Sequence, residues 1–230
     1  MSNLSYMQKA TDRGQLQIHV TTERGFFPIK DASIRLSYTG NPTEIIEELS
    51  TDISGQTAAV ELPAPPLEYS MEPSEFQPYS EYTIQVNASG YRPINISGIS
   101  VLPDKTSIQN VRMETATVEN PLERNIVITA NTLYGNFPPK IPEDEIKPMT
   151  ESGEIVLSRV VIPEYVIVHD GPPSDSSAND YYVRYRDYIK NVASSEIYAT
   201  WPDAALRANI LAIMSFTLNR VYTEWYRNKG

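Results

Sequence analysis

Across residues 14–113, short runs rich in β-branched and aromatic residues alternate with turn residues, and no long helical period interrupts them. That pattern restricts this stretch to a sheet-on-sheet architecture. Strands are expected at residues 15–21, 33–38, 56–62, 81–88, 94–101 and 109–113. Leu16, Ile18 and Val20, and again Tyr82, Ile84 and Val86, recur at every second position, so each strand has one face to bury. Turn chemistry separates them at Thr39-Gly40-Asn41-Pro42, Asp52 to Gly55, Ser89-Gly90 and Leu102-Pro103-Asp104. The expectation is an antiparallel β-sandwich.

The rest of the chain reads differently, and the whole is expected to be mixed α and β. Residues 114–160 form a connector in which Phe137-Pro138-Pro139-Lys140-Ile141-Pro142 runs extended before the acidic Glu143-Asp144-Glu145. Short strands are expected at residues 126–129 and 154–161, and the prolines make the connector a protease-accessible hinge. From residue 161 to 230 the pattern is α+β. A strand at 165–168 leads to a Gly/Pro/Ser/Asp loop over 170–179, then a short helix at 185–195. A second helix is expected to start at Thr200-Trp201-Pro202-Asp203, with Thr200 capping and Pro202 in the first turn, and to reach about Arg227. Leu206, Ile210, Ile213, Thr217, Val221 and Trp225 give it one continuous apolar stripe. A stripe that long needs a partner surface, in this domain or by self-association.

Composition narrows the chemistry. A formal net charge of −10 is the wrong sign for nucleic acid or an anionic membrane. With no cysteine and only His19 and His169, there is no material for disulfides or thiolate sites and little for a His-rich metal site or a Ser-His-Asp triad. Acid/base chemistry without metal or cofactor is expected. The first residues hold no signal-peptide run and no segment is apolar enough to span a bilayer, so the protein is expected to be made and kept inside a cell without membrane insertion.

The chemistry-bearing stretch is SSEIYATWP, residues 194–202, between the two helices. It brings a carboxylate (Glu196), hydroxyls (Ser194 and Ser195) and two aromatic rings (Tyr198 and Trp201) to a helix-helix junction. A Glu beside aromatic rings loses hydration, stays protonated more readily and serves as a general acid. Tyr198 and Trp201 offer flat surfaces for sugar rings. The competing reading is a solvated helix-end Glu with Trp201 in the core. Asp203 is better explained as a helix-cap residue, Asp170 and Asp175 as turn residues or groove lining, and His169 as a strand-end residue.

Two resemblances add to this. GQLQIHV at 14–20, FPIKDASIRLSY at 27–38, STDISGQ at 50–56 and YTIQVNASGYRP at 82–93 resemble the carboxypeptidase regulatory-like, transthyretin-like sandwich. In that family the TDxxG turn and the Gly-Tyr pair are structural marks. The stretch DYIKNVASSEIYATWPDAALRANILAIMSFTL, residues 187–218, resembles the opening of the stage II sporulation protein D family of lytic transglycosylases. Glu196 falls on that family's catalytic Glu, Trp201-Pro202 on its aromatic-proline pair, and Ala205-Leu206-Arg207-Ala208-Asn209 on its A-L-K-A-Q. Ile197-Tyr198 replaces Met-Pro, and Met214-Ser215-Phe216 stands where Arg-Thr-Tyr is usual. The wording is closest to the spore cortex-lytic, SleC-like branch of spore-forming Firmicutes.

That resemblance implies cleavage of spore cortex peptidoglycan at germination, with Glu196 catalytic and Ser195, Tyr198 and Trp201 binding substrate. It also implies a spore location in the cortex or coat region, with residues 1–113 a pro-region released by a germination protease within 114–160. The family's catalytic domain continues beyond the long helix whereas this chain ends at Gly230, so residues 161–230 are expected to be its N-terminal part and the cleft incomplete. Against the enzyme reading stands a non-catalytic binding or scaffold protein, or an inactive fragment of such an enzyme.

Overall fold

Leu16, Ile18 and Val20 are completely buried, and the strand that carries them is the middle of a three-stranded sheet. In this computed structural model the described residues are 12–72, 75–117, 122–133, 161–172 and 175–222. The chain divides into two units, residues 1–134 and 135–230. The expected strand at 154–161 lies outside the described residues except for Val161, which is not in a strand.

The first unit is a β-sandwich. Its strands are β1 (Asp12–Thr22), β2 (Ser33–Tyr38), β3 (Asn41–Ser50), β4 (Val60–Ala64), β5 (Ser80–Asn87), β6 (Ile94–Val101), β7 (Thr106–Met113) and β8 (Arg124–Val127), with a four-residue helix α1 (Glu68–Met71) between β4 and β5. One sheet has the order β4-β1-β7 and the other β3-β2-β5-β6-β8. Ile34, Leu36, Tyr82, Ile84, Val86, Ile94, Ile96, Ile99 and Val101 from the larger sheet share one core with Leu16, Ile18, Val20, Leu62, Val111 and Met113 from the smaller. Alternation along the strands puts these residues on the inner faces.

The sequence led to the expectation of a wholly antiparallel sandwich, and two strand pairs depart from it. β1 pairs with β7 in parallel, and β6 with β8 in parallel. The chain leaves the larger sheet after β6 and crosses to the smaller one, so β7 reaches β1 running the same way. β4 starts at Val60 rather than at residue 56; before it, Gln56 makes an isolated bridge to His19, and Thr57 holds β1 by its N–H, which donates to Ile18 O at 3.0 Å, and by its Oγ1, which accepts from Ile18 N–H at 3.1 Å. β8 lies two residues earlier than expected.

The TDxxG segment is a structural turn. Asp52 Oδ1 accepts from the N–H groups of Ser54 and Gln56 at 2.8 and 3.0 Å, while Thr51 Oγ1 accepts from Ala32 N–H at 2.9 Å and donates to Ile29 O at 2.7 Å. Gly55 adopts φ +72°, and a Cβ there would sit 2.4 Å from Val20 O. Only glycine fits such an approach.

The second unit begins with a hairpin of β9 (Tyr165–His169) and β10 (Asp180–Arg184), followed by α2 (Tyr185–Ser194) and α3 (Asp203–Tyr222). Val166, Tyr185, Ile189 and Ile213 form its core, with Val168, Val183, Ile210, Met214 and Leu218 packed against them. The α3 stripe therefore meets the hairpin and α2 through Ile210 and Ile213, and Thr217, also buried, donates its hydroxyl to Ile213 O at 2.8 Å within the helix. Val221 is already exposed, and Trp225 lies outside the described residues.

Candidate functional site

β10 runs without a break into α2, whose buried Tyr185 and Ile189 fix the helix against the hairpin. The far end of α2 then determines where the SSEIYATWP segment goes. Ser194 Oγ and Ser195 Oγ both donate to Asn191 O, at 2.9 and 3.1 Å. Ser195 N–H donates to Val192 O at 3.0 Å, and Glu196 N–H and Ile197 N–H donate to Ala193 O at 3.1 and 3.0 Å. The last carbonyls of α2 are satisfied by this turn and by the two serine hydroxyls. The Ser195 hydroxyl is thus used as a donor at the helix end and keeps only acceptor capacity for a ligand.

Glu196 projects from this turn and is exposed. The desolvated setting that the sequence suggested for it is not found. Ile197 and Tyr198, the pair that replaces Met-Pro, take the buried positions instead, at 8% and 7% exposure. Tyr198 therefore packs into the junction, while Trp201 is half-buried and keeps part of its ring accessible. Asn209 Nδ2, two turns into α3, reaches Glu196 Oε2 at 3.4 Å. This contact links the end of α2 to α3 and joins the candidate acid to the Asn that falls on the last position of the A-L-K-A-Q motif.

The start of α3 differs from expectation. Trp201 N–H donates to Tyr198 O at 3.1 Å, and Leu206 N–H to Pro202 O at 3.0 Å, so the helix is entered through Pro202. Thr200 does not cap it: among the described residues its buried Oγ1 has no hydrogen-bond partner, and neither has Asn209 Oδ1. The two unpaired oxygens lie on residues that flank the Glu196 turn in the chain and on α3, a cost accepted at few places in a folded protein.

Elsewhere the candidates fall into structural roles. His169 pairs through Nδ1 with Asp180 Oδ1 at 2.9 Å and through Nε2 with Pro172 O at 3.1 Å. Asp175 Oδ1 accepts from Ser177 N–H and Oγ at 2.9 and 2.6 Å, and these hydrogen bonds hold its carboxyl below the usual range. His19 Nε2 lies 3.2 Å from Gln17 Oε1 on β1, in the sandwich. Among the described residues no group of three His, Cys, Asp or Glu is placed to hold a metal ion, and no helix is long and apolar enough to cross a membrane. Sequence reasoning missed Asn209 as the partner of Glu196. The signal was its place on α3, one turn beyond the Ala205-Leu206 start of the matched motif.

No protein-family model matches the chain, and no curated protein matches it in sequence. Among solved structures, the TIE protein of Bacillus anthracis aligns at 17% identity and a TM-score of 0.32, covering 46% of this chain and 17% of that one. The minor pilin GBS52 of Streptococcus agalactiae aligns at 13% identity and a TM-score of 0.32, covering 46% of each chain. The 5-hydroxyisourate hydrolase of Klebsiella pneumoniae aligns at 15% identity and a TM-score of 0.28, covering 45% of this chain and 92% of that one. This chain spans less than half the length of the first two. The sandwich is established by its strand register and shared core, independently of these likenesses.

Proposed function

We propose that the chain is a zymogen-like spore cortex lytic transglycosylase, with Glu196 as the single catalytic carboxylate. The observation that carries this reading is the position of Glu196: exposed at the α2–α3 junction, with one carboxylate oxygen 3.4 Å from the amide of Asn209. It stands in a stretch, residues 187–218, that resembles the opening of stage II sporulation protein D type transglycosylases. An exposed carboxylate is open to a polymeric substrate such as cortex peptidoglycan, which a closed pocket would exclude.

In the reaction Glu196 protonates the glycosidic oxygen between N-acetylmuramic acid and N-acetylglucosamine. The same carboxylate then accepts the proton of the muramic C6 hydroxyl as that oxygen attacks C1 and closes a 1,6-anhydro ring. No water is consumed, and one carboxylate suffices where a hydrolase of the usual kind needs two. The Asn209 amide, donating to Glu196 Oε2 at 3.4 Å, orients the carboxylate at the junction. Trp201 supplies the accessible aromatic surface for a sugar ring. The sandwich is assigned as the pro-region, removed by a germination protease cutting in the connector.

A second reading is favoured by the same exposure. Glu196 has not been moved out of water, and Tyr198 is buried. A binding or scaffold protein would have this arrangement without catalysis. The deciding experiment is mass spectrometry of fragments released from purified spore cortex by the intact chain, by a proteolysed sample and by Glu196→Gln. Anhydromuramic products that disappear in the variant support the enzyme. No release from any sample supports the binding reading.

A further inference from the structure

The side chain of His169 ends strand β9 with both ring nitrogens engaged by oxygen atoms. Nδ1 is 2.9 Å from Asp180 Oδ1 on β10, its cross-strand partner, and Nε2 is 3.1 Å from Pro172 O in the loop that closes the hairpin. A carbonyl oxygen and an ionised carboxylate only accept hydrogen bonds. A neutral imidazole has one N–H and can satisfy one of them, whereas an imidazolium satisfies both. We propose that the β9–β10 hairpin is fastened at its loop end by a protonated His169, and that loss of this proton releases the fastening, making this end of the second unit pH-sensitive.

The surroundings agree with a cation at this point. Among the described residues, the charged groups that act on the ring are two carboxylates, Asp180 on β10 and Asp175 in the loop. Asp175 Oδ2 and His169 Nε2 would each lie 3.8 Å from a Cβ built on Gly171. The hydrogen bond to Asp180 is the largest cause raising the His169 pKa above its ordinary 6.5, with the Pro172 carbonyl and the charge of Asp180 adding to it. In turn the His169 charge helps hold Asp175 ionised.

Next to the ring, Asp170 N–H donates to Asn179 O at 2.9 Å, the backbone bond that continues the hairpin into its loop. With one ring nitrogen deprotonated, either the Asp180 carboxylate or the Pro172 carbonyl loses its donor, and this backbone bond is the first to open. The sign follows from the raised pKa. The fastening is complete below pH 6.5 and is lost as pH rises through the higher folded value. The opposite end of the hairpin, where Tyr165 pairs with Arg184 and leads into α2, does not depend on the proton.

The test uses the full chain, whose two histidines give two imidazole Cε1–H signals in an NMR titration. His169, identified by its loss in His169→Gln, is expected to titrate above 6.5, and Asp180→Asn is expected to bring it down. Asp180 is exposed, so that variant leaves the core untouched. Amide exchange at Asp170, corrected for its intrinsic pH dependence, is expected to lose protection across the His169 titration, and His169→Gln to abolish that dependence. A His169 titration at or below 6.5, or Asp170 protection that stays constant through it, overturns the proposal.

Discussion

The hydroxyl of Tyr82 on β5 donates to the carbonyl of Pro63 on β4 at 2.6 Å, a hydrogen bond that spans the sandwich from one sheet to the other. Tyr82 is completely buried and its ring stacks on Tyr38 at 5.2 Å between centroids. Tyr82→Phe keeps the packing and removes the bond, leaving the Pro63 carbonyl without its donor. The expected cost is about 1–2 kcal/mol in urea unfolding followed by far-UV circular dichroism. Burial, and then the neighbouring Tyr38, raise the Tyr82 pKa well above its ordinary 10.0. A raised value means that this stability is present below pH 10 and is lost as pH rises beyond it. The variant is therefore expected to show a shallower alkaline loss of stability than the parent.

Gly98 interrupts β6 with φ +84°, and a Cβ there would lie 2.2 Å from Ile128 O. Ser97 and Gly98 oppose the single residue Thr83, since Ile96 pairs with Ile84 and Ile99 with Tyr82. This bulge keeps Ile94, Ile96, Ile99 and Val101 all facing the core. Gly90 has nearly the same φ, +82°, with open space around it. Gly90→Ala is expected to cost about 1 kcal/mol from backbone strain alone. Gly98→Ala should cost more, because the backbone carbonyl of Ile128 must also move. The difference between their urea midpoints measures the steric part, and equal midpoints would remove that account of the bulge.

The strand at residues 94–101 was expected from the sequence but its bulge was not, although the apolar spacing changes from two, at 94 and 96, to three before 99. β3 was not legible. Its NPTEIIEELS has no alternation, it opens beside a proline, and it lies at the sheet edge, where among the described residues it has a strand partner on one side only. β10 was missed because Tyr181, Tyr182 and Val183 run directly into helical residues with no turn signal between. At the candidate site, the helix-turn-helix frame around Glu196 was readable from its flanking periodicities. Which of Glu196, Ile197 and Tyr198 would be buried was not, because that depends on how the turn after Ser194 is closed onto Ala193. Local patterns carry no information on that closure.

Ile213 lies in the middle of α3, buried against Val166, Tyr185 and Ile189. Ile213→Ala leaves a void in a small core and is expected to cost about 2–4 kcal/mol. Both tryptophans, Trp201 and Trp225, belong to the second unit, and the sandwich has none. Tryptophan fluorescence should therefore report an earlier urea transition in this variant. The sandwich transition, read by far-UV circular dichroism, is expected to hold its midpoint. A common shift of both probes would mean that the two units unfold together.

Glu196→Gln separates catalysis from stability. The side chain is exposed, and its one described partner is the Asn209 amide at the long distance of 3.4 Å. Glutamine keeps an oxygen for that amide, so stability should stay within about 0.5 kcal/mol of the parent. The glutamine amide can neither protonate a leaving oxygen nor accept the C6 hydroxyl proton, so release of anhydromuramic fragments should fall to background. General acid/base catalysis by one group accounts for about 100- to 10,000-fold in rate, which sets the loss to look for. Retained release by a variant of unchanged stability would shift the catalytic role away from Glu196, whereas lost release with lost stability would make its role structural.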